Sequence, residues 1–174
     1  MLKLRSMRAE YDDIFSDTPP KNSLLHIISE REYLKNDTVR LADDLEPILR
    51  NGVAEMFSRN RPKNEPDLNE KIGALLRTHD NQFRSEYPTT SFACAKVIPD
   101  HSNSDINLLI EAKYVRNKTT PSVATEGIAA DLIKYPENKY IIFIVYDPDH
   151  RIQSDQIFIT DIEAKGRNRV LIIR

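Results

Sequence analysis

At 174 residues and 40% hydrophobic content, the chain can bury one sizeable core and is too short for several. Charged residues make up 30% yet nearly cancel to a net charge of -2, which excludes nucleic-acid binding by a bulk basic field and leaves only a local surface for such contact. One cysteine excludes an internal disulfide and a cysteine-rich zinc site, four scattered glycines exclude P-loop and dinucleotide fingerprints, and the lack of a long apolar span or leader pattern predicts a soluble, cytoplasmic protein with no membrane contact.

Residues 1–60 read as a mostly helical region, interrupted at Pro19-Pro20 and near Asn36-Asp37. Leu24, Leu25, Ile27, Ile28, Tyr33 and Leu34 give a broad apolar helical face behind a Ser23 cap. His26 in that run reads as a core or boundary residue rather than a ligand. Asp37 and Thr38 start the next helix. Its Val39, Leu41, Leu45, Ile48, Leu49, Val53, Met56 and Phe57 keep helical spacing to about residue 58, with Pro47 expected to kink or split it. Arg59, Arg61 and Lys63 then make a short basic connector, an ordinary solvated linker unless it lies beside a site.

Residues 61–174 form the second expected domain. Asn64-Glu65-Pro66-Asp67 opens a helix, with Pro66 suited to its first turn and Asp67 to its positive end; Leu68, Ile72, Leu75 and Leu76 supply the buried stripe. At about 100° per residue, Glu65 falls on the side of that stripe and Glu70 points away. Glu65 is therefore either a cap or an inward-facing functional acid. Residues 83–100 are strand-rich, with the imperfectly alternating run 91–98 ending at Pro99-Asp100. His101-Ser102-Asn103-Ser104-Asp105 is turn chemistry and predicts a hairpin into the next strand. A turn centred near Asp105 sets Asp100 across from Glu111, whereas an earlier centre makes Asp105 the nearer carboxylate.

That next strand, Leu108-Leu109-Ile110-Glu111-Ala112-Lys113-Tyr114-Val115, is the informative stretch. Strand side chains alternate faces, so Glu111 and Lys113 project from the same side of an otherwise apolar run. Buried charges are tolerated when paired, hydrated or holding a metal, which makes the two a candidate site. A solvent-facing edge strand can carry such a pair as well. Thr120 and Pro121 next begin a helix whose Val123, Ile128, Leu132 and Tyr135 keep the period until Pro136 stops it. Asp131 and Tyr135 read as residues that hold this helix on the sheet. Residues 140–146 are continuously apolar, as in a sheet covered on both faces, so strand, helix and strand form a right-handed crossover pairing 108–113 with 140–146 in parallel. Asp147-Pro148-Asp149-His150 turns the chain out. Ile157-Phe158-Ile159 is expected as an edge strand and residues 169–173 as another, while Lys165, Arg167, Arg169 and Arg174 read as a solubilising face.

An inward acid on a helix, Pro99-Asp100, ten intervening residues, then Glu111-Ala112-Lys113 and a crossover unit: this order resembles the PD-(D/E)xK nuclease superfamily, the restriction-endonuclease-like fold. Asp131 on the crossover helix and Tyr146-Asp147-Pro148 at the strand end are similar to the nuclease domain of restriction and defence endonucleases. The resemblance covers about residues 63–150 and stops short of the N-terminal helices. It implies an α/β fold of the mixed α+β kind, with a helix, a β-hairpin and a βαβ crossover as its core beside the helical N-terminal region.

The activity implied by the resemblance is that of a Mg²⁺-dependent endonuclease, with Mn²⁺ as a substitute, hydrolysing phosphodiester bonds of DNA rather than RNA in restriction or phage defence. Asp100 and Glu111 take the role of metal ligands, and Glu65 completes the cluster through a bound water or a second ion. Lys113 orients or deprotonates the attacking water, helped by burial that can depress an amine pKa. The need to reach both strands of a duplex predicts a homodimer. The alternatives are a member of the same fold that binds nucleic acid or protein without cutting, against which the complete set of two acids and a lysine speaks, and an unrelated α/β interaction protein.

Overall fold

The computed structural model describes residues 24–174, with side chains from residue 37 onward. The break at Pro19-Pro20, the Ser23 cap, the apolar face of residues 24–34 and the side chain of His26 lie outside the described residues. Helix α1 (Leu24–Met56) is followed by α2 (Glu65–His79), and the short strands β1 (Arg84–Ser85), β2 (Thr90–Phe92), β3 (Ala95–Val97) and β4 (His101–Asn103) come next. Strand β5 (Leu108–Tyr114), helix α3 (Pro121–Lys134), strand β6 (Tyr140–Tyr146), helix α4 (Asp155–Glu163) and strand β7 (Asn168–Ile173) complete the order. Five strands form one mixed sheet in the order β1-β4-β5-β6-β7, and β2 with β3 forms a separate ribbon. Residues Thr38–Arg174 make one compact unit. No described helix is long and apolar enough to cross a membrane.

The crossover is present as expected: β5 and β6 pair in parallel with Leu108 opposite Tyr140 and Lys113 opposite Val145, and α3 connects them. Strand β7 extends the parallel set, with Val145 opposite Ile172. The uninterrupted apolar sequence of β6 is explained by burial of every one of its seven residues.

Each face of the sheet has its own core. Leu108, Ile110, Ala112 and Tyr114 of β5 pack with Leu68, Ile72 and Leu76 of α2 and with Ala42, Leu45, Leu49 and Val53 of α1. On the opposite face Leu109 and Val115 join Ala124, Ile128 and Tyr135, with Phe143, Val145 and Ile162. Helix α2 approaches β4 so closely that a Cβ on Gly73 would lie 2.7 Å from His101 Cε1, a position only glycine fits.

Four expectations are corrected. The break near Asn36-Asp37 does not occur, and of the two outcomes expected of Pro47, a kink or a split, the split is overturned, since Pro47 lies inside the single helix α1. The intrinsic cost of Asn and Asp in a helix is below about 1 kcal/mol each, and the fully buried Ala42, Leu45, Leu49 and Val53 on either side of Pro47 hold the helix against the larger proline penalty. Residues 91–98 fold back on themselves as the ribbon of β2 and β3, turning at Ala93, whose φ is 51°. His101-Ser102-Asn103 is a buried strand rather than part of the turn. Its polar side chains find partners away in sequence: His101 Nδ1 pairs with Ser85 Oγ at 3.0 Å, Ser102 Oγ donates to the Tyr87 carbonyl, and Asn103 Nδ2 donates to Asp80 Oδ2 at 3.1 Å. The turn follows at residues 104–107, where Asn107 takes the left-handed conformation with φ 57°. Finally, Ile157-Phe158-Ile159 is helical, not an edge strand. Ser154 caps α4 by accepting from Ile157 N, and Phe158, Ile159 and Ile162 turn to the core while Ile157 stays 63% exposed.

Candidate active site

The hairpin settles which acid faces the central strand. His101 opposes Ile110, so extending the register by one residue sets Asp100 against Glu111. Asp100 Oδ2 accepts the Ala112 N–H at 2.9 Å, tying this carboxylate to the backbone between Glu111 and Lys113. Asp105 sits exposed in the turn, at the far end of the hairpin.

Glu111 and Lys113 share the α3 face of the sheet, and neither is a solvated edge residue. Glu111 is 5% exposed, and Lys113 Nζ lies 3.5 Å from Glu111 Oε2 and 2.8 Å from Asp131 Oδ2. The Asp131 contact is an ion pair whose angles fall short of a directed hydrogen bond. Tyr135 Oη donates to Glu111 Oε1 at 2.5 Å. Asp131 and Tyr135 stand one turn apart on and just past α3, so a single helix end restrains both charged residues of β5. The expectation that they hold the helix on the sheet undersells them, since they do so through Glu111 and Lys113 themselves. Their spacing of four residues on one helical face was a signal available in sequence, but the direction of that face was not.

The electrostatics follow from too many acids in a dry place. Burial, and then the charge of Asp100, push the Glu111 carboxyl up to about 7, against the opposing pull of Lys113 and the Tyr135 hydrogen bond. For Lys113 the sequence expectation of a depressed amine is corrected. Burial does pull it down, but Glu111 and Asp131 outweigh burial and hold it above the ordinary lysine range, as a firm cation. Burial followed by Glu111 likewise pushes the Tyr135 phenol up, keeping it a hydrogen-bond donor.

Glu65 stands elsewhere in the arrangement. The α2 cap is Asn64, whose Oδ1 accepts from Asp67 N at 2.9 Å while Asp67 Oδ2 accepts from Lys63 N at 2.8 Å. Glu65 instead reaches the end of β5, where its Oε2 accepts the Tyr114 N–H at 3.1 Å. It adjoins the residue after Lys113, and α2 packs on the face opposite Glu111. Asp147, at the end of β6, is fully buried and accepts from Arg151 N and Ile152 N, which builds the following loop.

Whether a cation suits these residues can be judged from the donors. Two carboxylates oppose each other across a hairpin, one of them buried and driven upward by its neighbour, with one ammonium between three acids; a divalent ion would relieve that repulsion. Among the described residues no three His, Cys, Asp or Glu side chains converge as a ready cage. Mg²⁺ does not need one, because it takes one or two carboxylates together with waters and substrate phosphate. The donor set fits.

A mixed sheet with a helix on one face, a crossover on the other, and Pro99-Asp100 opposite Glu111-Ala112-Lys113 is consistent with a fold of the PD-(D/E)xK, restriction-endonuclease-like class. The family model described as REase_DpnII-MboI matches residues 53–174, and the chain belongs to that DpnII-MboI family of restriction endonucleases. Its activity is that of a DNA-cleaving endonuclease, and that family typically uses a divalent metal. No curated protein and no solved structure matched the chain.

Proposed function

We propose that this endonuclease cuts DNA with Mg²⁺ held by Asp100 and Glu111, and that Mn²⁺ can replace it. The observation that supports this reading is the register that sets Asp100 against Glu111, with Lys113 on the same face as Glu111. When bound, the ion supplies Lewis-acid relief of the charge that develops on the scissile phosphate and lowers the pKa of water. The chain's own groups do the rest. Lys113, paired with Glu111 and Asp131, orients the attacking water and offsets phosphate charge. Tyr135 occupies Oε1 of Glu111, so Oε2, on the Lys113 side, is the oxygen that would be left for an ion. Glu65, on the helix that covers the opposite face, steadies the backbone beside Lys113 by accepting the Tyr114 N–H, and would join the ion only through a bound water.

Cutting both strands of a duplex calls for two such sites, so we propose a homodimer that acts in the cytoplasm on DNA in restriction or phage defence. Calorimetric titration of Mg²⁺ or Mn²⁺ against wild type, Asp100→Ala and Glu111→Ala, with plasmid cleavage measured in parallel, tests the site. Binding and cleavage should vanish together in both variants, while Asp105→Ala should match wild type. Full cleavage by Asp100→Ala would sink the assignment. Light scattering at working concentration tests the dimer, for which a monomer on DNA would be the contrary result.

A further inference from the structure

The basic connector of residues 57–63 is not a free linker. Arg61 Nη1 pairs with Asp149 Oδ1 at 2.6 Å and its Nη2 donates to the Pro148 carbonyl at 3.3 Å, which fastens the connector to the loop after β6. Arg116 Nη1, from the loop after β5, donates to the Lys63 carbonyl at 3.2 Å and its guanidinium lies 5.1 Å from the Tyr114 ring centre. Three segments are thus joined at the C-terminal ends of the parallel strands β5 and β6, the end of the sheet where open α/β folds bind ligands.

The joining uses Arg61 and Arg116, together with Arg151 of the loop after β6, which donates to Asn117 Oδ1 and pairs with Asp149. Arg59 and Lys118 are exposed and make no ion pair among the described residues, and Lys63 is exposed with no salt bridge of its own. Residues 57–63 and 115–120 hold five Lys or Arg and no Asp or Glu, in a chain whose net charge is -2. Lys118 lies five residues beyond Lys113 on the same chain, and Lys63 lies two residues before Glu65, whose carboxylate bonds the residue after Lys113. A patch this concentrated in a balanced chain has a reason beyond solubility.

We propose that Arg59, Lys63 and Lys118 form a phosphate-binding rim that seats the DNA backbone beside Lys113, with Arg61 and Arg116 as the clamps that hold the rim in shape. Lys and Arg that neutralise phosphates release condensed counterions, so each contact contributes about 0.9 to the slope of log K against log salt. The proposal rests on the DNA-cleaving reading and assigns the surface that holds the substrate.

The test measures equilibrium binding of a short DNA duplex to the full chain by fluorescence anisotropy in EDTA, across a salt series, so that cleavage plays no part. The triple variant Arg59→Ala, Lys63→Ala, Lys118→Ala should lower the slope by roughly 2 to 3 and weaken binding at least tenfold at low salt. The charge-keeping variant Arg59→Lys, Lys63→Arg, Lys118→Arg should keep the wild-type slope, and Lys165→Ala, an exposed cation before β7, should change nothing. An unchanged slope in the triple variant, or an equal fall in Lys165→Ala, overturns the rim. Lys113→Ala separates the two readings: a DNA-binding protein that still cuts without Lys113 removes the site assignment and leaves the rim standing.

Discussion

The two faces of the central sheet use one strand in opposite ways. Toward α2, β5 presents Leu108, Ile110, Ala112 and Tyr114, which pack on Leu68, Ile72 and Leu76, and the charges of Glu65 and Arg116 meet it only at its end, at Tyr114. Toward α3 it presents Leu109, Glu111 and Lys113, and the helix answers with Asp131 and the adjoining Tyr135. The first face repays burial with apolar contact. The second accepts an unfavourable burial of charge, offset by the ion pairs of Lys113 and the Tyr135 hydrogen bond, and holds oriented the groups proposed to meet a metal ion and a phosphate. Stability and chemistry are thereby separated by the thickness of one sheet, and substitutions on either side should report on one property far more than on the other.

The largest difference is expected from Glu111→Gln. On DNA with Mg²⁺ it should lower cleavage by roughly 10³-fold or more if the proposed metal ligand is lost. In EDTA, however, the same variant should melt higher than wild type, by an equivalent of about 1–3 kcal/mol, because a buried charge that Lys113 only partly offsets has gone. A lower melting temperature in EDTA would mean that the buried acid is a net support of the fold. On the other face Ile72→Ala, at a fully buried position, should lose roughly 2–5 kcal/mol of stability. Its cleavage per folded molecule should stay near wild type at a temperature below the new melting point, measured as kcat after correction for the unfolded fraction.

Smaller effects sharpen the contrast. Tyr135→Phe keeps the ring in its apolar surroundings and removes the hydrogen bond to Glu111; a loss of about 10–100-fold in metal affinity is expected, with little change in melting temperature. Calorimetry with Mn²⁺ reads this directly, and unchanged affinity would reduce Tyr135 to a packing residue. The smallest effect belongs to Arg174, which holds Asp155 with two bonds of 2.5 Å. The Arg174 guanidinium keeps the Asp155 carboxyl below its ordinary range. A depressed acid contributes stability above its unfolded pKa and loses it as pH falls through the folded one. Through Asp155, Arg174→Ala should therefore cost no more than about 1 kcal/mol near neutral pH, after solvent screening, a part that disappears once Asp155 is protonated in both states; what remains at that pH reports the 3.6 Å contact of Arg174 with the buried Asp147. Melting curves at neutral and strongly acidic pH distinguish the two.

What was legible came from short-range regularities. Alternation placed Glu111 and Lys113 on one side of β5, Thr120 and Pro121 marked the start of α3, and the apolar run of β6 marked a strand covered on both faces. Other elements depart from their local pattern where distant partners override local preference. His101-Ser102-Asn103 has the composition of a turn, and it is a buried strand because Ser85, Tyr87 and Asp80 supply its hydrogen bonds. Ile157-Phe158-Ile159 has the composition of a strand, and it is a helix because Ser154 caps it and one side packs on the core.

The amino-acid sequence by itself determined the motif, the crossover and the alternation that separates an apolar face from a charged one, because the strands and helices that carry them are marked by local patterns of alternation, capping and apolar runs. Only the tertiary structure decided that Asp100 rather than Asp105 opposes Glu111, that Asp131 and Tyr135 restrain the two charged side chains, and that Lys113 is held as a cation instead of being driven neutral. Those outcomes depend on register, helix direction and the sum of nearby charges. Each is a distance between groups far apart in the chain, and such distances exist only once the sheet has formed.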